Sequence, residues 1–219
     1  MGEFMSIRHF EGGTPGSVWR MAVNSIKTNG RKVVTEDGQE TREIDNMYCR
    51  IEHPMIGWPI SGSNWKLPAL EVYYQDEIIS KENKSGFDYT YGERLRAWES
   101  HEIPDSYNVK TDQVEYIIRK LKANRTTRRA VGCTWNPLTD EKPGFHPPCL
   151  MVADFKIRGE ALNLIAYFRS HDIEQAWPQN VYGLYKLQEY IAGEVYAELG
   201  TLTTISASAH IYINPGEEA

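Results

Sequence analysis

Cysteine is scarce: Cys49, Cys133 and Cys149 are the only three among 219 residues. They form no C-x-x-C pair, and an odd count leaves no complete disulfide framework. That usage suits a reducing, cytoplasmic setting. Lone thiols are most often small buried hydrophobes, and this is the expectation for Cys49 and Cys133. No apolar run approaches the roughly 20 residues that span a bilayer. Positive charge is not in excess either. Lys and Arg number 24 against 30 Asp and Glu, a net charge of -6, which argues against a general nucleic-acid-binding surface. His9, His53, His101, His146, His171 and His210 show no paired ligand spacing, so a metal enzyme is not expected. Internal repeats, low-complexity tracts and long linkers are missing, which leaves one domain over 1–219. "MGEFMSIRHF" has no signal-peptide apolar region, and its Met-Gly start is only a weak myristoylation match.

What is present alternates between helical and strand periods. "TPGSVWRMAVNSIKTNG" stacks Val18, Ala22 and Ile26 four apart and ends before Gly30, as a helix would. "RKVVTEDGQETREIDNMYCRIEHP" reads as two short strands around an Asp-Gly turn. "LPALEVYYQDEIIS" groups Leu67, Leu70, Tyr74 and Ile78 on one helical side. In "TDQVEYIIRKLKAN", Val114, Ile117, Ile118 and Leu121 form a stripe, and Asp112 with Glu115 resembles a capping box. "LMVADFKI" and "ALNLIAYF" form a hairpin turning at Arg158-Gly159-Glu160. The loop "RSHDIEQAWPQN" then leads to a long helix expected from about Val181 to Leu199, closed by Gly200. "TISASAHIYIN" is the last strand. The expected class is α/β (α+β): a twisted, mixed, largely antiparallel sheet with helices packed on it.

Within this frame "GFHPPCLMVADF" puts Cys149 on a stiff corner. Pro147 and Pro148 fix their own φ angles and restrict the residues before them. The thiol therefore enters its strand from a set direction, as a nucleophile must. If Cys149 begins one strand and Arg169 ends its antiparallel neighbour, both lie at one end of the hairpin. Arg169 is then placed to depress the thiol pKa or to bind an anion. Ser170 adds a hydroxyl, and Asp172 a carboxylate and a backbone N–H. Asn180, just ahead of the expected helix, fits an N-cap. His210 and Tyr212, two apart on a strand, face one side. Arg128 and Arg129 point opposite ways on an extended segment, where they are either solvated or grip a phosphate.

The segments "RRAVGCTWNP", "PPCLM", "FRSHD", "WPQN" and "SAHIY" follow the order and approximate spacing of the thymidylate synthase family, with "YTYGERLRAW" upstream. The resemblance is dense from Tyr89 to Tyr212 and weak before that. It implies that Cys149 adds to C6 of the uracil ring of dUMP, so that C5 attacks a one-carbon unit on a reduced pterin. Arg169 and Ser170 would hold the 5′-phosphate. Arg128 and Arg129 would reach it from the other subunit of a homodimer. Asp172 would bind the base through its backbone and contact the pterin. Asn180 would pair with the pyrimidine edge, His210 and Tyr212 with the 3′-hydroxyl, and Tyr91 would take part in proton abstraction from C5. A neutral amide can both donate and accept, whereas a carboxylate can only accept. Asn180 therefore favours uracil over cytosine, and Asn180→Asp is expected to shift preference toward dCMP.

The chain also departs from the family pattern. Leu150 stands where many members have a histidine. The usual glutamate-tryptophan segment is not recognisable, and Glu71 is the nearest candidate for the carboxylate near O4; an exposed helix glutamate is the competing reading. Arg42 is the stand-in for an N-terminal phosphate arginine. Only "NPGEEA" follows Ile213, as in the compact archaeal type. That type implies 5,10-methylene-tetrahydrofolate or a related pterin such as tetrahydromethanopterin, and leaves a monomer open. Pyrimidine nucleotide hydroxymethylation and non-catalytic nucleotide binding are the alternative functions.

Overall fold

A computed structural model describes residues 8–98, 111–142 and 144–213. The readings of the first seven residues and of the terminal "NPGEEA" lie outside them. One seven-stranded sheet runs in the order β1-β3-β7-β6-β5-β4, with β2 pairing on β3. The strands are β1 (His9–Gly12), β2 (Arg31–Val34), β3 (Glu40–Ile51), β4 (Val131–Cys133), β5 (Leu150–Arg158), β6 (Ala161–Asp172) and β7 (Glu198–Tyr212). β1–β3 and β6–β7 are parallel, and the remaining pairs antiparallel. The sheet is thus mixed and largely antiparallel, as expected.

The helices follow their local signals. α1 (Pro15–Asn29) starts on a reciprocal Thr14–Ser17 capping box, which satisfies two orphan backbone donors, with Pro15 in its first turn. Val18, Ala22 and Ile26 are buried on its sheet-facing stripe. α2 (Leu67–Tyr73) runs on into a π-helical turn over Tyr74–Ile78. Leu70, Tyr74 and Ile78 are buried as the stripe predicts, but Leu67 is exposed. α3 (Tyr91–Arg96) is capped by the Thr90 hydroxyl, and α4 (Gln113–Ala123) by Asp112, which accepts from the Glu115 N–H. α5 spans Pro137–Asp140 and α6 spans Ala176–Glu194.

Two boundaries differ from the sequence reading. α6 begins five residues before Val181, because the Asp172 carboxylate accepts from the Glu174 and Gln175 N–H groups and turns the chain into the helix. Asn180 is therefore not an N-cap; it lies in the second turn. α6 ends at Glu194, and Tyr196 (φ 52°) takes the left-handed turn, so Leu199 and Gly200 belong to β7.

Alternation divides the sheet into two faces. Leu162, Leu164, Ala166 and Phe168 of β6, with Ala153, Phe155 and Ile157 of β5, are buried beneath the helices. On the opposite face Ile165 and Tyr167 are about two-fifths exposed (41% and 39%). Cys49 is buried in the core as expected. Cys133 is exposed, contrary to expectation, because it ends the short edge strand β4. Among the described residues no helix is long and apolar enough to cross a membrane.

Candidate active site

Parallel pairing of β6 and β7 brings their C-terminal ends to one edge, with Asp172 opposite His210. The antiparallel β5 starts at that same edge, where Leu150 pairs with Phe168. Cys149, Ser170, Asp172, His210 and Tyr212 therefore converge from three adjacent strands on one cleft of about 570 Å³. Asn180 of α6, Tyr73 at the end of α2, Glu77 of the π-helical turn, and Tyr91 at the start of α3 complete its wall.

The edge is held rigidly. The indole N–H groups of Trp19 and Trp65 donate to the carbonyls of Ile173 (2.8 Å) and Gln175 (2.6 Å). Trp177 is fully buried and donates to the Thr204 hydroxyl at 3.1 Å. The turn that joins β6 to α6 thus has few conformations open to it.

Arg169 does not line the cleft. Its Nε donates to the Pro148 carbonyl at 3.0 Å and its Nη2 to the Pro147 carbonyl at 2.7 Å. Its own backbone N–H donates to the Cys149 carbonyl at 2.9 Å. The guanidinium clamps the proline corner that carries the thiol. Burial pushes the Cys149 thiol above the ordinary range and the Arg169 charge only partly offsets this, so the expected net depression is not found.

Three phenols crowd the thiol. Tyr91 Oη accepts from the Leu150 N–H at 3.3 Å. Burial raises Tyr91 and Tyr73 well above the ordinary phenol range, and Tyr89 to about 12. All three remain protonated donors at neutral pH. Burial likewise raises the carboxyls of Asp172 and Glu77, although hydrogen bonds to the backbone and to Ser85 oppose it. His210 is lowered by burial against the pull of Asp172 and Glu43, and its ring meets Tyr212 edge-on at 5.2 Å.

Asn180 is bonded on both sides. Its Oδ1 accepts from Tyr73 Oη at 2.6 Å, and its Nδ2 lies 3.2 Å from His171 Nε2. Leu150 is fully buried and offers no polar group. An imidazole nevertheless reaches this amide, from His171 on β6. The sequence reading did not single out His171, which strict alternation would set on the face opposite Ser170. Its ring instead stacks on that of Phe168, 3.8 Å away. Tyr73, Tyr89 and Glu77 were also missed, although the recurrence of tyrosine in "EVYY" and "DYTYG" was the available signal.

Four other predicted residues are placed elsewhere. Glu71 bonds to the Tyr182 hydroxyl and borders a separate surface hollow; Glu77, further along the same segment, is the carboxylate in the cleft. Arg42 pairs with Ile211 on β7, hence on the face opposite His210 and Tyr212, and donates to the Gly30 carbonyl at 3.2 Å. Arg128 and Arg129 border a surface hollow with Lys120, apart from the cleft of their own chain.

A mixed α/β sheet that gathers a thiol, a carboxylate, an amide and a His-x-Tyr pair into one cleft at its edge defines the class of protein. The family profile described as thymidylate synthase matches residues 57–219, and the chain belongs to that family. It is 42% identical to a protein of Methanococcoides burtonii provisionally named thymidylate synthase, over 91% of this chain and 87% of that one. It is 36% identical to one of Methanothermobacter marburgensis with the same provisional name, over 89% and 88%. A third, from Methanocaldococcus jannaschii, is 33% identical over 90% and 87%.

Proposed function

We propose that the protein methylates C5 of dUMP to give dTMP, using a one-carbon reduced pterin. The observation that carries this reading is the convergence of Cys149, Ser170, Asp172, Asn180, His210 and Tyr212 on one cleft. The cleft's volume lies in the range of small-molecule sites. Phe87, 71% exposed at its rim, offers a ring face, and the Asp172 carboxylate an acceptor, for a pterin beside the nucleotide. The pterin, 5,10-methylene-tetrahydrofolate or a tetrahydromethanopterin-type relative, would supply the one-carbon unit and the hydride that reduces it.

The protein's own groups supply the rest. Cys149 gives its proton to solvent and its sulfur bonds to C6, placing the electron pair on the C5 side of the ring. That pair forms the new bond from C5. The C5 proton would then pass by way of the Tyr91 hydroxyl to solvent, its bonding pair breaking the bond between the one-carbon unit and its carrier; a hydride delivered to that carbon would let the C6–S bond break and free the thiolate. Asn180 pairs with N3 and O4, and His210 with Tyr212 holds the 3′-hydroxyl. Ser170 meets the phosphate, and Arg169, outside the cleft, holds the Pro147–Pro148 corner that carries the thiol. Arg128 and Arg129 serve the cleft of a second subunit, packed through the open sheet face bearing Ile165 and Tyr167. On this reading the enzyme works in the cytoplasm.

The test is tritium release from C5-labelled dUMP with each pterin carrier, together with mass analysis of the product. The expected result is a methyl addition that is lost in Cys149→Ala. Undiminished turnover in that variant would exclude covalent catalysis by this thiol, and a hydroxymethyl product would replace the proposed outcome.

A further inference from the structure

A primary amide that reads a pyrimidine edge has two orientations. With oxygen toward N3 and nitrogen toward O4 it matches uracil, which donates at N3 and accepts at O4. Rotated by half a turn it matches cytosine, which accepts at N3 and donates from its amino group. An unrestrained asparagine could therefore take either base.

Asn180 is restrained at both ends. Tyr73 donates to its oxygen at 2.6 Å, leaving one lone pair. Its Nδ2 meets His171 Nε2 at 3.2 Å, leaving one N–H. For Nε2 to accept, the ring proton must be on Nδ1, and Nδ1 faces the Ser206 hydroxyl at 3.1 Å. The ring has no room to turn: it is 2% exposed and stacks on Phe168 with 17° between the planes. Burial, with the nearby His210, holds the imidazole pKa at about 3, so the ring is neutral at neutral pH, and with its proton on Nδ1 it keeps Nε2 as the acceptor. Rotating the amide would press its oxygen against that acceptor.

We infer that His171, carrying its ring proton on Nδ1 toward the Ser206 hydroxyl, fixes the Asn180 amide in the uracil-reading orientation and is a positioning residue for base selection. The inference rests on the nucleotide reading above and adds the device that makes an amide selective. Losing a contact of this kind changes discrimination by roughly 10- to 100-fold.

The experiment measures dissociation constants and kcat/KM for dUMP and dCMP in parallel. His171→Phe keeps the stacked ring and removes the acceptor; its dUMP/dCMP preference is expected to fall roughly 10- to 100-fold. Ser206→Ala, a smaller change, should move the ratio the same way by less. In His171→Gln a side-chain carbonyl can accept in place of Nε2, so part of the preference should return. A merely structural role would weaken both nucleotides alike. An unchanged ratio in His171→Phe, or in Ser206→Ala should His171→Phe fail to fold, would overturn the inference, and so would wild-type protein that binds dCMP as tightly as dUMP. Asn180→Ala separates the two readings. If it leaves dUMP binding intact, the nucleotide assignment of the cleft itself is wrong.

Discussion

At the scale of single residues the thiol is governed by two opposed effects. Burial disfavours the thiolate of Cys149, and the Arg169 guanidinium favours it. Burial is the larger, so alkylation of Cys149 by iodoacetamide should keep accelerating at pH values above the ordinary thiol range. Arg169→Leu removes the compensating charge and should push that profile further up, slowing alkylation at pH 8 by roughly 10-fold. Peptide mass analysis distinguishes Cys149 from the exposed Cys133, while Cys49, raised by burial to about 12, should stay unmodified. A faster reaction in Arg169→Leu would mean that releasing the proline corner outweighs the lost charge.

At the scale of elements, α6 approaches the segment that carries Tyr73 through Gly183. A Cβ there would lie 2.6 Å from Ile78 Cγ1 and 3.1 Å from Tyr73 Cε1. Gly183→Ala should cost about 1–3 kcal/mol in stability, measured by urea unfolding, and should weaken dUMP binding by shifting Tyr73. Gly92 makes a similar approach to backbone, with a Cβ 2.3 Å from the Ser80 carbonyl oxygen, which gives the Tyr91-Gly92 pair a packing reason as well as a chemical one.

Element type was largely readable from the sequence, because apolar period and turn residues decide it locally. The stripes of α1 and α4 and the hairpin of β5 and β6 were foreseen. What failed depended on contacts between distant residues. Pro178 fell in the expected loop "RSHDIEQAWPQN", yet a proline in the first turn loses no hydrogen bond, so α6 runs through it. Gly200 looked like a helix stop, but Tyr196 adopts the left-handed conformation instead. Glu71 was named and Glu77 missed because Glu77 lies in the π-helical turn, which changes the face each residue presents. In the cleft, Cys149, Ser170, Asp172, Asn180, His210 and Tyr212 were named from motifs, while His171 depended on stacking that no periodicity describes.

At the scale of the whole molecule, a buried neutral histidine makes stability depend on pH. His171 binds its proton with a pKa of about 3 when folded and near 6.5 when unfolded. Between these values the unfolded chain holds the extra proton, so stability falls as pH drops below about 6.5. At pH 5 the loss from this residue is about 2 kcal/mol. The raised carboxyls of Asp172 and Glu77 act in the opposite direction. Comparing urea midpoints of wild type and His171→Phe from pH 7 to pH 5 isolates the histidine, and the variant should show the shallower decline. Equal slopes would mean that the imidazole can charge in place.

The proposed second subunit has its own test. The double variant Arg128→Ala with Arg129→Ala, mixed with Cys149→Ala under conditions of subunit exchange, should recover roughly a quarter of wild-type activity. Each mixed pair would hold one cleft with a thiol and its neighbour's arginines. No recovery would remove these arginines from the site.

The indoles of Trp19 and Trp65 are tied by hydrogen bonds to the short turn that follows the strand bearing Arg169, Ser170 and Asp172. The protein therefore carries its own optical gauge of that turn. Any solvent, temperature or substitution that loosens it must change the surroundings of two fluorophores, and emission should register the loss of order at the cleft edge before the sheet itself gives way.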